Sequence, residues 1–238
     1  MKQFITTKII GLAVMAVIYS KTGSALATPV YSITNDTTID LPVNPLSTAE
    51  SGSAYYDYDL DTASGYPAFG TVSNTGFFWL HENTNNGDIS LGMIFDAPDD
   101  TLDGKVKLGF NGVPVSGFIA LADDAKDTFS TLSGDWKWFA CCTDGGVIGG
   151  LGGFWDITIT LNATTGIDQW FFLSGDPNSP DTIGLNFDIG DTVVISAFDS
   201  TPTPPQVSAT PEPGTWMLLS TGLVGLLGYG WRKRRQMA

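Results

Sequence analysis

Residues Trp155-Asp156-Ile157-Thr158-Ile159-Thr160-Leu161-Asn162 alternate without a break between apolar and polar. A helix would scatter that set around its circumference. A strand puts Trp155, Ile157, Ile159 and Leu161 on one face and the polar residues on the other. The same period of two runs through Lys105-Val106-Lys107-Leu108-Gly109-Phe110 and Tyr56-Asp57-Tyr58-Asp59-Leu60-Asp61. No window between residues 29 and 199 holds a convincing 3.6-residue apolar period. Further strands are predicted at 76–81, 89–95, 117–121, 135–140, 168–173, 183–187 and 192–198. Turn formers separate them, among them Asn85-Asn86-Gly87-Asp88, Asn111-Gly112 and Asp176-Pro177-Asn178. Many short strands, each apolar on one side, predict an all-β fold. The expected architecture is a single, mainly antiparallel, jelly-roll-like β-sandwich over 28–199. One short helical turn is expected at 123–129.

The two ends have a different logic. Lys2 and Lys8, an apolar stretch at 9–19 and the small-x-small site Ala25-Leu26-Ala27 read as a secretory signal peptide over 1–27. Its partners are the general secretion machinery and a signal peptidase cutting after Ala27. Residues 200–210 form a Pro/Thr/Ser linker that favours extended polyproline II. Residues 216–231 carry no charge. As a helix they reach roughly 24 Å, a little short of the roughly 30 Å hydrocarbon core. A transmembrane helix is predicted at 215–231, with Trp216 and Trp231 at its headgroup levels. Arg232, Lys233, Arg234 and Arg235 follow at once and hold the tail cytoplasmic, so everything before Trp216 faces outward. Gly222, Gly225, Gly228 and Gly230 weaken this helix, which suits a segment that is recognised and removed better than a lasting anchor.

Pro211-Glu212-Pro213, an apolar span and an Arg-rich end occur in that order at 211–238. The arrangement closely resembles the PEP-CTERM sorting domain, found in Gram-negative bacteria that make exopolysaccharide. The resemblance implies an inner-membrane-tethered precursor, processing near Pro211–Pro213 by an exosortase, and a destination at the cell surface or outside it. It carries nothing over to residues 28–210. A single-pass tail anchor with Pro-Glu-Pro as mere linker is the alternative.

Removing both ends leaves four Lys against 24 Asp and Glu, a net charge of −20. Such a domain repels nucleic acid and anionic lipid. No cofactor is expected, although so many carboxylates can attract Ca²⁺. Asp57, Asp59 and Asp61 are not an EF-hand, because Thr62 and Ala68 stand where it needs Gly and Glu. Their alternation reads as the wet face of a strand. Asp96, Asp99, Asp100 and Asp103, with Asp123, Asp124 and Asp127, lie in predicted loops and are the better Ca²⁺ candidates. Plain solvation of an acidic surface is the simpler reading of them.

Cys141 and Cys142 are the only cysteines. In an exported chain they read as a vicinal disulfide, with two free thiols, or a metal site completed by ligands from elsewhere, as the alternatives. The stretch 145–153 after them reads as a glycine-rich loop and lacks the Lys-Ser/Thr of a phosphate loop. His81 is the only histidine, which excludes sites needing two; a polar histidine at a strand end is the plainer reading. Trp136 and Trp138 share a face in a strand and read either as a sugar-stacking platform or as core. The sequence therefore points to an exported, non-enzymatic surface or matrix protein, structural or adhesive and associated with exopolysaccharide. The alternatives are a carbohydrate-binding module and a carbohydrate-active enzyme with two carboxyls across a cleft.

Overall fold

A computed structural model describes residues 29–35, 40–98 and 101–199. The signal peptide with Ala25 and Ala27, the linker, Pro211–Pro213, the membrane helix and Arg232–Arg235 lie outside the described residues, as do Asp99 and Asp100. In chain order the elements are β1 (Pro29–Thr34), β2 (Leu41–Val43), β3 (Leu46–Thr48), α1 (Gly52–Tyr56), β4 (Tyr58–Asp59), β5 (Ser64–Gly65), β6 (Thr75–Asn83), β7 (Asp88–Phe95) and β8 (Gly104–Asn111). They continue as β9 (Phe118–Ala122), β10 (Thr128–Phe129), β11 (Ser133–Trp138), β12 (Asp144–Gly149), β13 (Trp155–Thr165), β14 (Gln169–Ser174), β15 (Asp181–Leu185) and β16 (Thr192–Asp199).

Two large, mostly antiparallel sheets result. One runs β10-β11-β8-β13-β16-β1-β2 and the other β15-β14-β6-β7-β12-β9; β4 and β5 form a separate hairpin. One edge of β6 is exceptional. β14 pairs in parallel with its first half and β3 with its second half. Parallel neighbours need long crossovers, and the stretch from β3 to β6, with α1 and the hairpin, is one. The expected alternation holds in the first sheet. In β8 Val106, Leu108 and Phe110 are buried while Lys105, Lys107 and Gly109, which alternate with them, are partly exposed, and β13 buries Trp155, Ile157, Ile159 and Leu161. Their apolar faces meet Phe78, Leu80, Met93, Phe95, Ile148 and Phe172 of the second sheet in one core.

The second sheet departs from one-sided patterning. β7 buries everything after Asp88, β6 buries seven of nine residues and β12 all six. The reason is a second apolar cluster on the outer face, where Tyr55 and Tyr56 cover Phe77, Trp79, Ile94 and Val147. Strands buried on both faces read as continuous apolar runs.

Three local expectations are corrected. Residues 56–61 do not form one strand. Ser51 caps α1 by accepting a hydrogen bond from the Ala54 amide at 3.2 Å, and the helix ends at Asp57 in the left-handed conformation, φ 53°. Only Tyr58–Asp59 remain extended, so the alternating acids are no strand face. Residues 123–127 are a turn leading into β10, and among the described residues the helix lies at 52–56 instead. The presumed glycine loop at 145–153 begins as β12, hydrogen-bonded between β7 and β9. A Cβ on Gly146 would lie 2.6 Å from the Phe129 ring and 2.7 Å from the Leu121 carbonyl. Glycine is there to let layers approach closely.

Candidate functional site

Three carboxyls meet where β9, β12 and α1 converge. Asp123 and Asp127 bracket the turn between β9 and β10; Asp144 opens β12, the neighbour of β9. Asp123 is 4% exposed and Asp144 2%. Tyr56, at the end of α1, donates its hydroxyl to Asp123 Oδ2, while Asp123 Oδ1 is buried without a hydrogen-bond partner. Asp144 accepts the Lys137 amide at 2.9 Å and its neighbouring Gly145 amide at 2.8 Å, and hydrogen-bonds the Asp127 side chain. Above Asp123 opens a cleft of about 800 Å³. Ser53, Asp57 and Tyr58 stand on one side and Leu121, Asp123 and Asp124 on the other.

Electrostatics follow from burial. Desolvation pushes the Asp123 carboxyl up to about 8, with the Asp124 and Asp127 charges adding to it against the Tyr56 hydrogen bond. Burial, then the Asp127 charge, also raises Asp144 well above the carboxylate range. The Tyr56 hydroxyl is raised too, by burial first and then by Asp123. Among the described residues the salt bridges are Lys105–Asp135 and Lys107–Asp135, so no cationic side chain reaches this cluster.

The sequence-derived candidates fare differently. Trp136 and Trp138 are not a sugar platform: they are 0% and 4% exposed and pack against Phe95 with ring centroids 5.2 and 6.1 Å away. Their indoles donate to the Gly145 carbonyl at 2.8 Å and to Asp96 Oδ2 at 2.6 Å. Trp138 lies over Gly104, its register partner, and Trp136 over Gly134; a Cβ at either glycine would come within 1.9 Å of the indole. Asp96 is no loop ligand for Ca²⁺. It is 1% exposed, and besides Trp138 its carboxylate accepts the Asn74 and Ala97 amides, both at 2.9 Å. Asp103 accepts the Ala140 amide at 3.0 Å.

Cys141 and Cys142 are joined in a disulfide in the loop between β11 and β12. The next residue ties this loop to the β4–β5 hairpin. The Thr143 amide donates to Ser64 Oγ at 3.2 Å, and Thr143 Oγ1 accepts the Gly65 amide at 2.7 Å. His81 is not at a strand end but buried within β6, 2.9 Å from Thr48 Oγ1 through Nε2 and stacked on Tyr55 at 4.8 Å. Burial lowers it to about 4. Sequence reasoning missed Asp144 and Tyr56, because neither shares a local spacing with Asp123.

Residues 209–235 match the family model for the PEP-CTERM protein-sorting motif. The chain carries a PEP-CTERM protein-sorting signal at its C-terminal end. PEP-CTERM signals are processed by exosortase at the membrane, so this chain is an exported, exosortase-sorted protein. The match lies wholly beyond the described residues and leaves the acidic cleft unassigned. No curated protein and no solved structure matches the chain.

Proposed function

We propose that this PEP-CTERM protein is a non-enzymatic β-sandwich module delivered to the cell surface or extracellular matrix of a Gram-negative bacterium, where it serves a structural or adhesive role with exopolysaccharide. The sorting motif at 209–235 carries the reading. Two closed apolar clusters and a net charge of −20 support it, being what a soluble, mutually repelling surface domain needs. The test is intact mass and membrane fractionation of the protein from its host. A chain starting at Thr28 and ending near Pro211 supports the reading. Replacing Pro211, Glu212 and Pro213 by alanine then leaves an unprocessed precursor in the inner membrane. A wild-type chain that keeps residues 216–238 in that membrane sinks it.

A second reading, carbohydrate binding, moves from the buried tryptophans to the acidic cleft. Tyr58 offers a ring, and Asp57 and Asp124 offer acceptors for sugar hydroxyls. Retention on the host's purified exopolysaccharide, lost in Tyr58→Ala, supports it; equal passage of both proteins removes it.

A further inference from the structure

A second cleft, of about 800 Å³, opens between the turn from β13 to β14, the start of β14 and the link from β15 to β16. Strand register fixes where it lies. The described chain starts at Pro29 in β1 and ends at Asp199 in β16, and these two residues are paired at one end of the sandwich. Asp188 and Ile189 lie just ahead of Thr192, so the cleft sits at the other end of β16, eight residues or roughly 25 Å away. A site there is built from loops on a rigid scaffold and faces away from the point where the chain continues toward residue 200. β15 is the outer strand of its sheet, so no further strand among the described residues closes that side.

The lining combines an apolar floor with a polar rim. Trp170 and Phe187, with ring centroids 5.4 Å apart, are buried in the floor, and Ile189 stands exposed at the mouth. Asp168, Gln169, Asn186 and Asp188 form the rim. Three of the four are held by their backbones. The Asp168 and Gln169 amides donate to the Asn74 carbonyl at 2.8 and 3.3 Å, and the Asp188 amide donates to Asp191 Oδ2 at 2.9 Å. Among the described residues no hydrogen bond or ion pair engages any of the four side chains. Thr164 Oγ1, in the cleft wall, is buried without a partner, although buried polar atoms normally have one. The lining holds no Lys or Arg.

We propose that this cleft binds an uncharged glycan chain. The proposal rests on the exopolysaccharide reading above and names the surface that makes the contact. Sugar hydroxyls both donate and accept. The Asp168 and Asp188 carboxylates accept from them, while the Gln169 and Asn186 carboxamides do both. A bound hydroxyl also supplies the partner that Thr164 Oγ1 lacks. The C–H faces of a sugar ring are apolar, and Ile189 with the aromatic floor receives them. Two carboxylates with no cation beside them turn away uronate, sulfate and phosphate groups, because like charges repel across a binding site. That charge pattern selects an uncharged chain over an anionic one.

The experiment uses the full chain purified in detergent. The host's exopolysaccharide is partly hydrolysed, split on an anion exchanger into uncharged and anionic oligosaccharides, and each pool is immobilised. The wild type should be retained on the uncharged pool and pass through the anionic one. Asp168→Ala combined with Asn186→Ala removes side chains that hold nothing in the fold, so the Tm should stay within about 2 °C of wild type. Affinity for the uncharged pool should fall about tenfold or more, as two hydrogen bonds are lost. Tyr58→Ala, in the acidic cleft, should bind as the wild type does. Should the double variant fail to fold, Gly184→Leu carries the same comparison. A Cβ there meets only the Phe171 ring, at 3.9 Å, and the longer side chain narrows the cleft. Preference for the anionic pool, or loss of binding in Tyr58→Ala alone, overturns the proposal. Unchanged affinity in the double variant overturns it too, and leaves the exopolysaccharide reading standing without this cleft. Passage of the wild type through both pools ends both.

Discussion

At the residue scale, burial decides what each polar side chain can be. Asp96 looks like a loop acid in sequence, yet its two oxygens hold the Asn74 and Ala97 amides and the Trp138 indole. Asp96→Ala strands three buried donors and should cost about 3–5 kcal/mol in urea unfolding. Gly104→Ala should cost about 1–3 kcal/mol, because the added methyl occupies the place of the Trp138 ring. His81 gives a pH signature. Its folded pKa, about 4, lies below the ordinary histidine value of 6.5, so the unfolded chain takes up the proton first. The associated stability is whole above pH 6.5 and is lost as pH falls toward 4, a contribution of about 2 kcal/mol once screening is allowed for. His81→Phe, which can still stack on Tyr55, should flatten the slope of unfolding free energy over that window. An unchanged slope would mean that the histidine is not the group responsible.

At the scale of elements, the period-two segments were legible where one face meets the core and the other meets water. β8 and β13 are the clear cases, and β16 follows them. Legibility failed where a third layer intervened. β12 looks like a loop because its glycines have no side chains to show a period, yet its neighbours β7 and β9 hold it in register. The stretch 56–61 has the right period but the wrong backbone, since Asp57 turns left-handed to close α1. The disulfide at Cys141–Cys142 belongs here as well. It closes only a ring between neighbours, so its constraint on the unfolded chain is small. Replacing both cysteines by serine should lower stability by only about 1 kcal/mol and leave the Thr143 contacts to Ser64 and Gly65 in place. Thermal unfolding with and without reductant checks this, and a loss several times larger would show that the disulfide, rather than Thr143, holds the hairpin.

At the scale of the whole molecule, the two large sheets share one apolar core, and α1 with the stretch after it closes a second cluster on the outer face. Among the described residues, both clusters are built from positions between Tyr31 and Ala197. Residues 28–199 expressed alone should therefore unfold in one cooperative transition, with fluorescence and circular dichroism coinciding. Two separated transitions would mean that the outer layer melts before the sheets.

The sequence by itself determined the address and the class of secondary structure. A Pro-Glu-Pro motif, an apolar span and a basic end are contiguous, and alternation is a local property of a strand. The vicinal disulfide was legible for the same reason, as its two residues are neighbours. Only the tertiary structure decided which acids matter. Asp123 and Asp144 are 21 positions apart in the chain, Tyr56 is 67 from Asp123, and pairing of β9 with β12 brings them together beneath one cleft. The charge of a carboxylate is written in the sequence. Its burial, and hence its need for a partner, depends on what the rest of the chain folds over it.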